Sequence, residues 1–146
     1  MKLVMYQTVG DPRLGQLVDE RVYDLNLACE AMLAAKGVGN ARARAAALVP
    51  AETIHFLAGG AETQKAAAEA VEWLGSRKAA APTVRGMPLV QPLADVKLLA
   101  PILKPEKIIC VAHNYHDFLQ ELGMRPHPEP RLFAKFANAV TGYDQP

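Results

Sequence analysis

Hydrophobic and polar positions keep a short period over the first 25 residues and then change to a helical one. Lys2–Val9 is rich in β-formers and is stopped by the turn cluster Gly10-Asp11-Pro12. Arg13–Val18 and Arg21–Leu25 flank Asp19-Glu20, which predicts a hairpin with a tight connection. Three short strands in this space predict a small antiparallel sheet. From Leu27 to Lys36 the apolar spacing is helical, with Asp24 or Asn26 as the cap and Gly37 as the stop. Asn40 reads as the next N-cap and Ala41–Val49 as a short helix ended by Pro50. Glu52–Leu57 and Ala61–Leu74 continue the pattern, broken at Gly59-Gly60, and Glu62, Lys65, Glu69 and Glu72 mark a solvated face. These alanine-rich helices carry no reactive cluster. Their expected task is packing over the sheet.

Ser76–Pro92 reads as a linker: it holds Pro82, Pro88, Pro92, Gly86 and a run of three alanines. Val84, Leu89 and Val90 within it suit an edge strand, where proline is tolerated. Val96–Leu99 and Ile108–Ala112 are apolar strands, Asp117–Leu122 a short helix closed by Gly123, Arg125–Pro130 a proline-histidine loop and Arg131–Phe136 another strand. The expected fold class is α+β. Residues 1–92 form an N-terminal antiparallel sheet with packed helices and the proline-rich linker at its end. Residues 93–146 hold the opening strands and short helix of a second domain. Those strands are core-like with little sequence left to cover them, so the second domain reads as incomplete in this chain.

Composition changes little in that picture. The chain has 146 residues, 51% hydrophobic and 21% charged, as in an ordinary globular protein. Sixteen basic residues face fifteen acidic ones, and no basic patch argues for a nucleic-acid partner. No run approaches the roughly 18 apolar residues of a membrane span, and the N-terminus lacks a signal-peptide core. A cytoplasmic protein with no membrane or nucleic-acid partner is expected. Cys29 in a helical run and Cys110 in a strand both read as buried free thiols.

Candidate chemistry is concentrated where the apolar run Ile108–Ala112 meets His113, Asn114, Tyr115, His116 and Asp117. Histidines and carboxylates are ligand types for a divalent ion. The spacing matches no closed zinc motif, and His113 is expected to face a different side from a helix starting near His116. Asp117 is the stronger ligand candidate, as an oxygen donor for Mg²⁺ or Mn²⁺, and equally a plain N-cap. His116 suits acid–base work, although Glu121 lies too far along a helix for direct i,i+4 pairing. Asp117 and Glu121 are a like-charged i,i+4 pair that a cation would relieve. Cys110 is more readily buried than activated, His55 reads as a core or groove histidine, and His127 as a loop residue between two prolines. Lys135 is either a snorkelling lysine or a cation aimed at a substrate carboxylate. The chain has no glycine-rich phosphate loop, no Gly-x-Ser-x-Gly and no Cys-x-x-Cys, which sets nucleotide, serine-hydrolase and zinc-knuckle readings aside.

At these residues the sequence resembles the fumarylacetoacetate hydrolase family. The likeness runs through Pro105–Gly123, with its lysine-led strand and Asn-Tyr pair, and through Glu129–Gly142, with Pro-x-Leu-Phe-x-Lys and a glycine turn. Met1–Asn26 also looks like that family's small N-terminal domain. The resemblance implies a metal-dependent hydrolase, lyase or isomerase acting on β-dicarbonyl or related oxo acids, built on a rolled mixed β-sheet core. It implies a homodimer or higher oligomer, with Mg²⁺, Mn²⁺ or Ca²⁺ held by carboxylates. Carried over residue by residue, Asp117 matches a metal ligand, and Glu121 and Lys135 match catalytic positions. The family's base position is occupied by Phe118, which leaves the base open between the nearby His116 and His127 in the loop beyond; Asn114, Tyr115 and His127 are expected to bind substrate. The family's Glu-x-Glu metal motif is absent. The chain alone is therefore expected to hold no ion and turn over no substrate unless a second copy or segment completes it. The competing expectation is a non-catalytic packing or dimerisation module.

Overall fold

A computed structural model describes residues 1–77 and 83–144. The three-alanine run and Pro82 of the expected linker lie outside the described residues. The chain has an α+β architecture and divides into two compact units, Met1–Ile102 and Leu103–Thr141.

The first unit is organised on an antiparallel sheet. Its strands are β1 (Leu3–Gln7), β2 (Arg13–Val18) and β3 (Arg21–Asp24), with short edge strands from later in the chain. Asp19 and Glu20 take φ of 44° and 58°, so two left-handed residues join β2 to β3, the turn that matches the right-handed twist of paired strands. A small hairpin follows in sequence, β4 (Thr83–Val84) and β5 (Met87–Pro88). Then β6 (Val90–Pro92) pairs with β3 at one edge, and β7 (Lys97–Leu98) pairs with β1 at the other. The proline-bearing strand is thus an edge strand, where a missing N–H costs no ladder bond. Pairing of Tyr6 with Leu98 also carries the first unit to Ile102, ten residues past the division at 92/93 that the prolines suggest.

Among the described residues of the unit the α-helices are α1 (Leu25–Ala35), α2 (Ala41–Leu48), α3 (Thr53–Ala58) and α4 (Gly60–Gly75). The first turns of α1 are buried almost all round, including Leu25, Leu27, Ala28, Cys29 and Met32, so α1 is the central helix. On α4, Thr63, Ala66, Ala67, Ala70 and Leu74 form one buried stripe; the small side chains let α4 lie close to α1. Burial pushes the Cys29 thiol up, against a smaller opposing effect of Lys36. His55 is a correction: it is exposed on α3, 3.2 Å from Glu52. Asn40 precedes α2 in a left-handed conformation, φ 54°, and its side chain makes no capping bond.

A buried polar centre ties the sheet to α1. Asp24 ends β3 and caps α1, accepting from the Leu27 N–H at 2.7 Å. It also accepts from the Tyr6 hydroxyl at 2.7 Å and from Arg13 Nη2 at 3.0 Å, and it is ion-paired with Arg13 Nε. The register explains the convergence. Tyr6 stands opposite Arg13, and Gly15 stands opposite Asp24, so all four share one face of the pleat. A Cβ on Gly15 would sit 2.6 Å from Val22 Cγ1, 3.0 Å from the Tyr23 carbonyl and 3.2 Å from the Tyr6 ring. The bare backbone at 15 leaves the gap across which Tyr6 reaches Asp24. Gly15→Ala is expected to cost about 1–3 kcal/mol by overpacking, read from urea unfolding.

Desolvation, then the adjacent Asp24 charge and bond, raises the Tyr6 phenol far above its ordinary range, outweighing Arg13. Desolvation opposes the Arg13 charge, but the bonds and charge of Asp24 prevail and raise it. A raised phenol stabilises the fold fully below its unfolded pKa near 10, and that contribution is lost as pH rises beyond it. The unfolding free energy is therefore expected to fall above about pH 10 by up to ~1.4 kcal/mol per pH unit for one proton. Tyr6→Phe should remove that slope. Phenolate absorbance followed during alkaline unfolding checks it.

The second unit is a two-stranded antiparallel ribbon, β8 (Ile108–Ala112) with β9 (Arg131–Lys135), and between them α5 (His116–Glu121). Leu119 is its buried anchor. Cys110 is a correction to the expected burial: it is a free thiol of intermediate exposure. Among the described residues no helix is long and apolar enough to cross a membrane.

Candidate active site

The second unit contains a polar pocket of about 290 Å³ at the end of the ribbon where Ala112 pairs with Arg131. His113 leaves β8 with φ +53°, a left-handed conformation in which histidine is enriched relative to most side chains. This reversal turns the chain into Asn114 and Tyr115 before α5 begins. On the opposite wall, Pro126 and Pro128 hold His127 between them; fixed φ angles restrict the backbone on both sides of the imidazole.

Four of the expected site residues meet here: Asn114, Tyr115, His116 and His127 all line the pocket. His113 lines it too. Its ring lies 5.6 Å from that of His127, tilted by 37°, and stacks on Phe118 with centroids 6.2 Å apart. Glu129 and Arg131 add one charge of each sign to the walls. The pocket can therefore offer imidazole, amide, phenol and guanidinium donors to an oxygen-rich ligand.

Three expected residues are not among those lining it. Lys135 pairs with Ile108 at the far end of the ribbon, four residues from Arg131, a distance of about 13 Å along an extended strand. Asp117 and Glu121 lie exposed on α5. The cap expectation for Asp117 is also corrected. Tyr115 is the N-cap, and Asp117 is the second helical residue, with Oδ1 accepting from the Phe118 N–H at 2.9 Å. The helix starts one residue early, so the carboxylate sits inside the first turn.

The ion implied by the resemblance does not find its ligands here. Among the described residues no group of three or more His, Cys, Asp or Glu side chains is placed to hold a metal, and Asp117 is a single exposed carboxylate. His113 is the functional candidate that sequence reasoning undervalued. Its relation to His127 is a contact across fourteen residues, and helical spacing carries no signal of it.

No family model matches the chain. Among curated proteins, Protein Rv2993c of Mycobacterium tuberculosis is 49% identical over 55 residues, 38% of this chain and 20% of that protein. Oxaloacetate tautomerase FAHD2A, mitochondrial, of Bos taurus is 43% identical over 56 residues, 38% of this chain and 18% of that protein. Fumarylacetoacetate hydrolase domain-containing protein 2 of Pongo abelii is 40% identical over 57 residues, with the same coverage. The matched segment thus spans about a fifth of each relative's length. Over that segment, the chain is similar to proteins that carry a fumarylacetoacetate hydrolase domain.

Proposed function

We propose that this chain is a portion of an enzyme that isomerises or cleaves small oxo acids, with keto–enol tautomerisation of an oxaloacetate-like substrate as the first candidate. The observation that carries the reading is the pocket that Asn114, Tyr115, His116 and His127 line together. Tautomerisation moves a proton between the carbon beside a carbonyl and the carbonyl oxygen. It needs a proton acceptor near that carbon and donors near that oxygen. His116 is the residue of the helix start suited to carry the proton. Glu121, too far along α5 to pair with it directly and outside this pocket's lining, is assigned as its carboxylate partner through a bridging group in the completed site. Asn114, Tyr115 and His127 bind the oxygens. Lys135, at the other end of the ribbon, is assigned to a substrate carboxylate in the completed site.

A divalent ion, Mg²⁺, Mn²⁺ or Ca²⁺, belongs to the same reading, with Asp117 as one ligand and the remaining carboxylates supplied by other residues. When bound it would polarise the oxo-acid oxygens. The reading further holds that the chain alone is inactive. Its support is the ribbon's outer face, where Ile109 and Leu132 are each 64% exposed and share a side with Val111 and Ala134. A two-stranded ribbon is at best marginal in water, so an apolar face of this kind calls for further strands or a second copy. The latter is the dimerisation reading.

A chimera tests the enzyme. This chain's matching residues replace those of the bovine oxaloacetate tautomerase, and loss of the enol's ultraviolet absorbance is followed. Turnover is expected, and Glu121→Gln in the chimera is expected to reduce kcat at least 100-fold, the lower range for a lost acid–base partner. A folded chimera without turnover overturns the reading. Tight Mn²⁺ binding by the 146-residue chain alone, measured by calorimetry, overturns its incompleteness.

A further inference from the structure

The paired imidazoles of the pocket carry more than the family likeness assigns them. His113 Nδ1 and His127 Nε2 are both buried without a hydrogen-bond partner. The remaining nitrogen of each ring, His113 Nε2 and His127 Nδ1, is not closed off in this way, and both residues line the pocket.

A neutral imidazole has one N–H and one lone pair, and the surroundings choose between the tautomers. An N–H buried without an acceptor forfeits a bond it would have made to water, and orphaned donors are rarer than under-satisfied acceptors. The lower-cost tautomer therefore buries the lone pair on His113 Nδ1 and His127 Nε2. Each proton then resides on the nitrogen that is not closed off. Both rings become hydrogen-bond donors there.

We infer that His113 and His127 form a two-donor cradle for an anionic oxygen, a carboxylate or enolate oxygen of the oxo-acid substrate; the substrate's identity rests on the function proposed above. The separation suits one shared acceptor. An oxygen about 2.9 Å from each nitrogen lies about 4 Å from each ring centre. Centroids 5.6 Å apart then subtend roughly 90° at that oxygen, within the broad range a carbonyl or carboxylate oxygen accepts. Arg131 and Glu129 add one charge of each sign to the same pocket, and the two ring N–H groups add directional donors for the oxygen. Phe118 contributes by stacking on His113; an aromatic ring at that position orients the imidazole next to it.

The test is nuclear magnetic resonance on the ¹⁵N-labelled 146-residue chain, with malonate as a non-reacting carboxylate probe. Long-range proton–nitrogen spectra of the neutral rings are expected to show His113 protonated at Nε2 and His127 at Nδ1. Malonate should shift those two nitrogens. His113→Gly, which suits the positive φ at 113, and His127→Ala should each weaken malonate binding at least tenfold. Should the glycine variant fail to fold, the His127 variant and the tautomers decide alone. The opposite tautomer at either ring, or malonate binding unchanged by the folded variants, overturns the cradle. No turnover is involved, so this result stands apart from the chimera's.

Discussion

Replacing Asp24 by alanine is expected to lower the unfolding free energy by about 3–5 kcal/mol, the cost of removing one partner from a buried ion pair. Asp24 is 0% exposed, and Arg13 retains 21% of its side-chain exposure. The single carboxylate serves three elements. It closes the Tyr6 hydroxyl of β1, the Arg13 guanidinium of β2 and the Leu27 N–H at the start of α1. Alanine leaves the Tyr6 hydroxyl without its Asp24 acceptor, and Arg13 without its carboxylate, keeping Asn26 Oδ1 at 3.2 Å. Loss of a helix cap alone costs about 1 kcal/mol. A measured loss near that value in urea would show that Tyr6 and Arg13 find other partners, and would remove the network from the account of the fold.

Phe56→Ala is expected to cost about 3–5 kcal/mol by transfer and cavity terms together. Phe56 is 0% exposed and sits on the six-residue α3. A helix of that length is not stable by itself in water. Glu52 caps it, accepting from the Ile54 and His55 N–H groups at 3.0 and 3.1 Å, but those bonds are exposed and hold only its first turn. The aromatic ring is what fastens α3 to the unit, next to α4. Leu57, one residue on and 50% exposed, is the internal control: Leu57→Ala should stay within about 0.5 kcal/mol. Equal losses at both positions would refute the assignment of Phe56 as the anchor. Urea unfolding of the two variants and the parent chain makes the comparison.

Both predictions concern the first unit, and both show how local patterns and long-range pairing divide the information. The β-rich run before Gly10, the tight connection at Asp19-Glu20 and the capping role of Asp24 are all local: each depends on residues within a few positions. The stripe on α4 is equally local, because helical geometry alone puts positions 63, 66, 67, 70 and 74 on one side. Pairing of β7 with β1 joins residues about ninety apart, and no periodicity announces it. Prolines therefore suggested a division at 92/93, while hydrogen bonding carried the first unit to Ile102.

The site divides in the same way. The sequence by itself identified the polar cluster Asn114–Asp117, the loop histidine His127, the family likeness and the departure at Phe118, because residue types and their order are sufficient for a motif. Tertiary structure decided which of these residues share a cavity. It set Lys135 at the far end of the ribbon, because strand register fixes distance, and it put Asp117 and Glu121 outside the pocket lining. It also turned His113 toward His127 through one left-handed residue at the end of β8. A single backbone reversal of that kind changes the direction of a side chain without changing the pattern of apolar and polar positions, so only the folded chain reveals it.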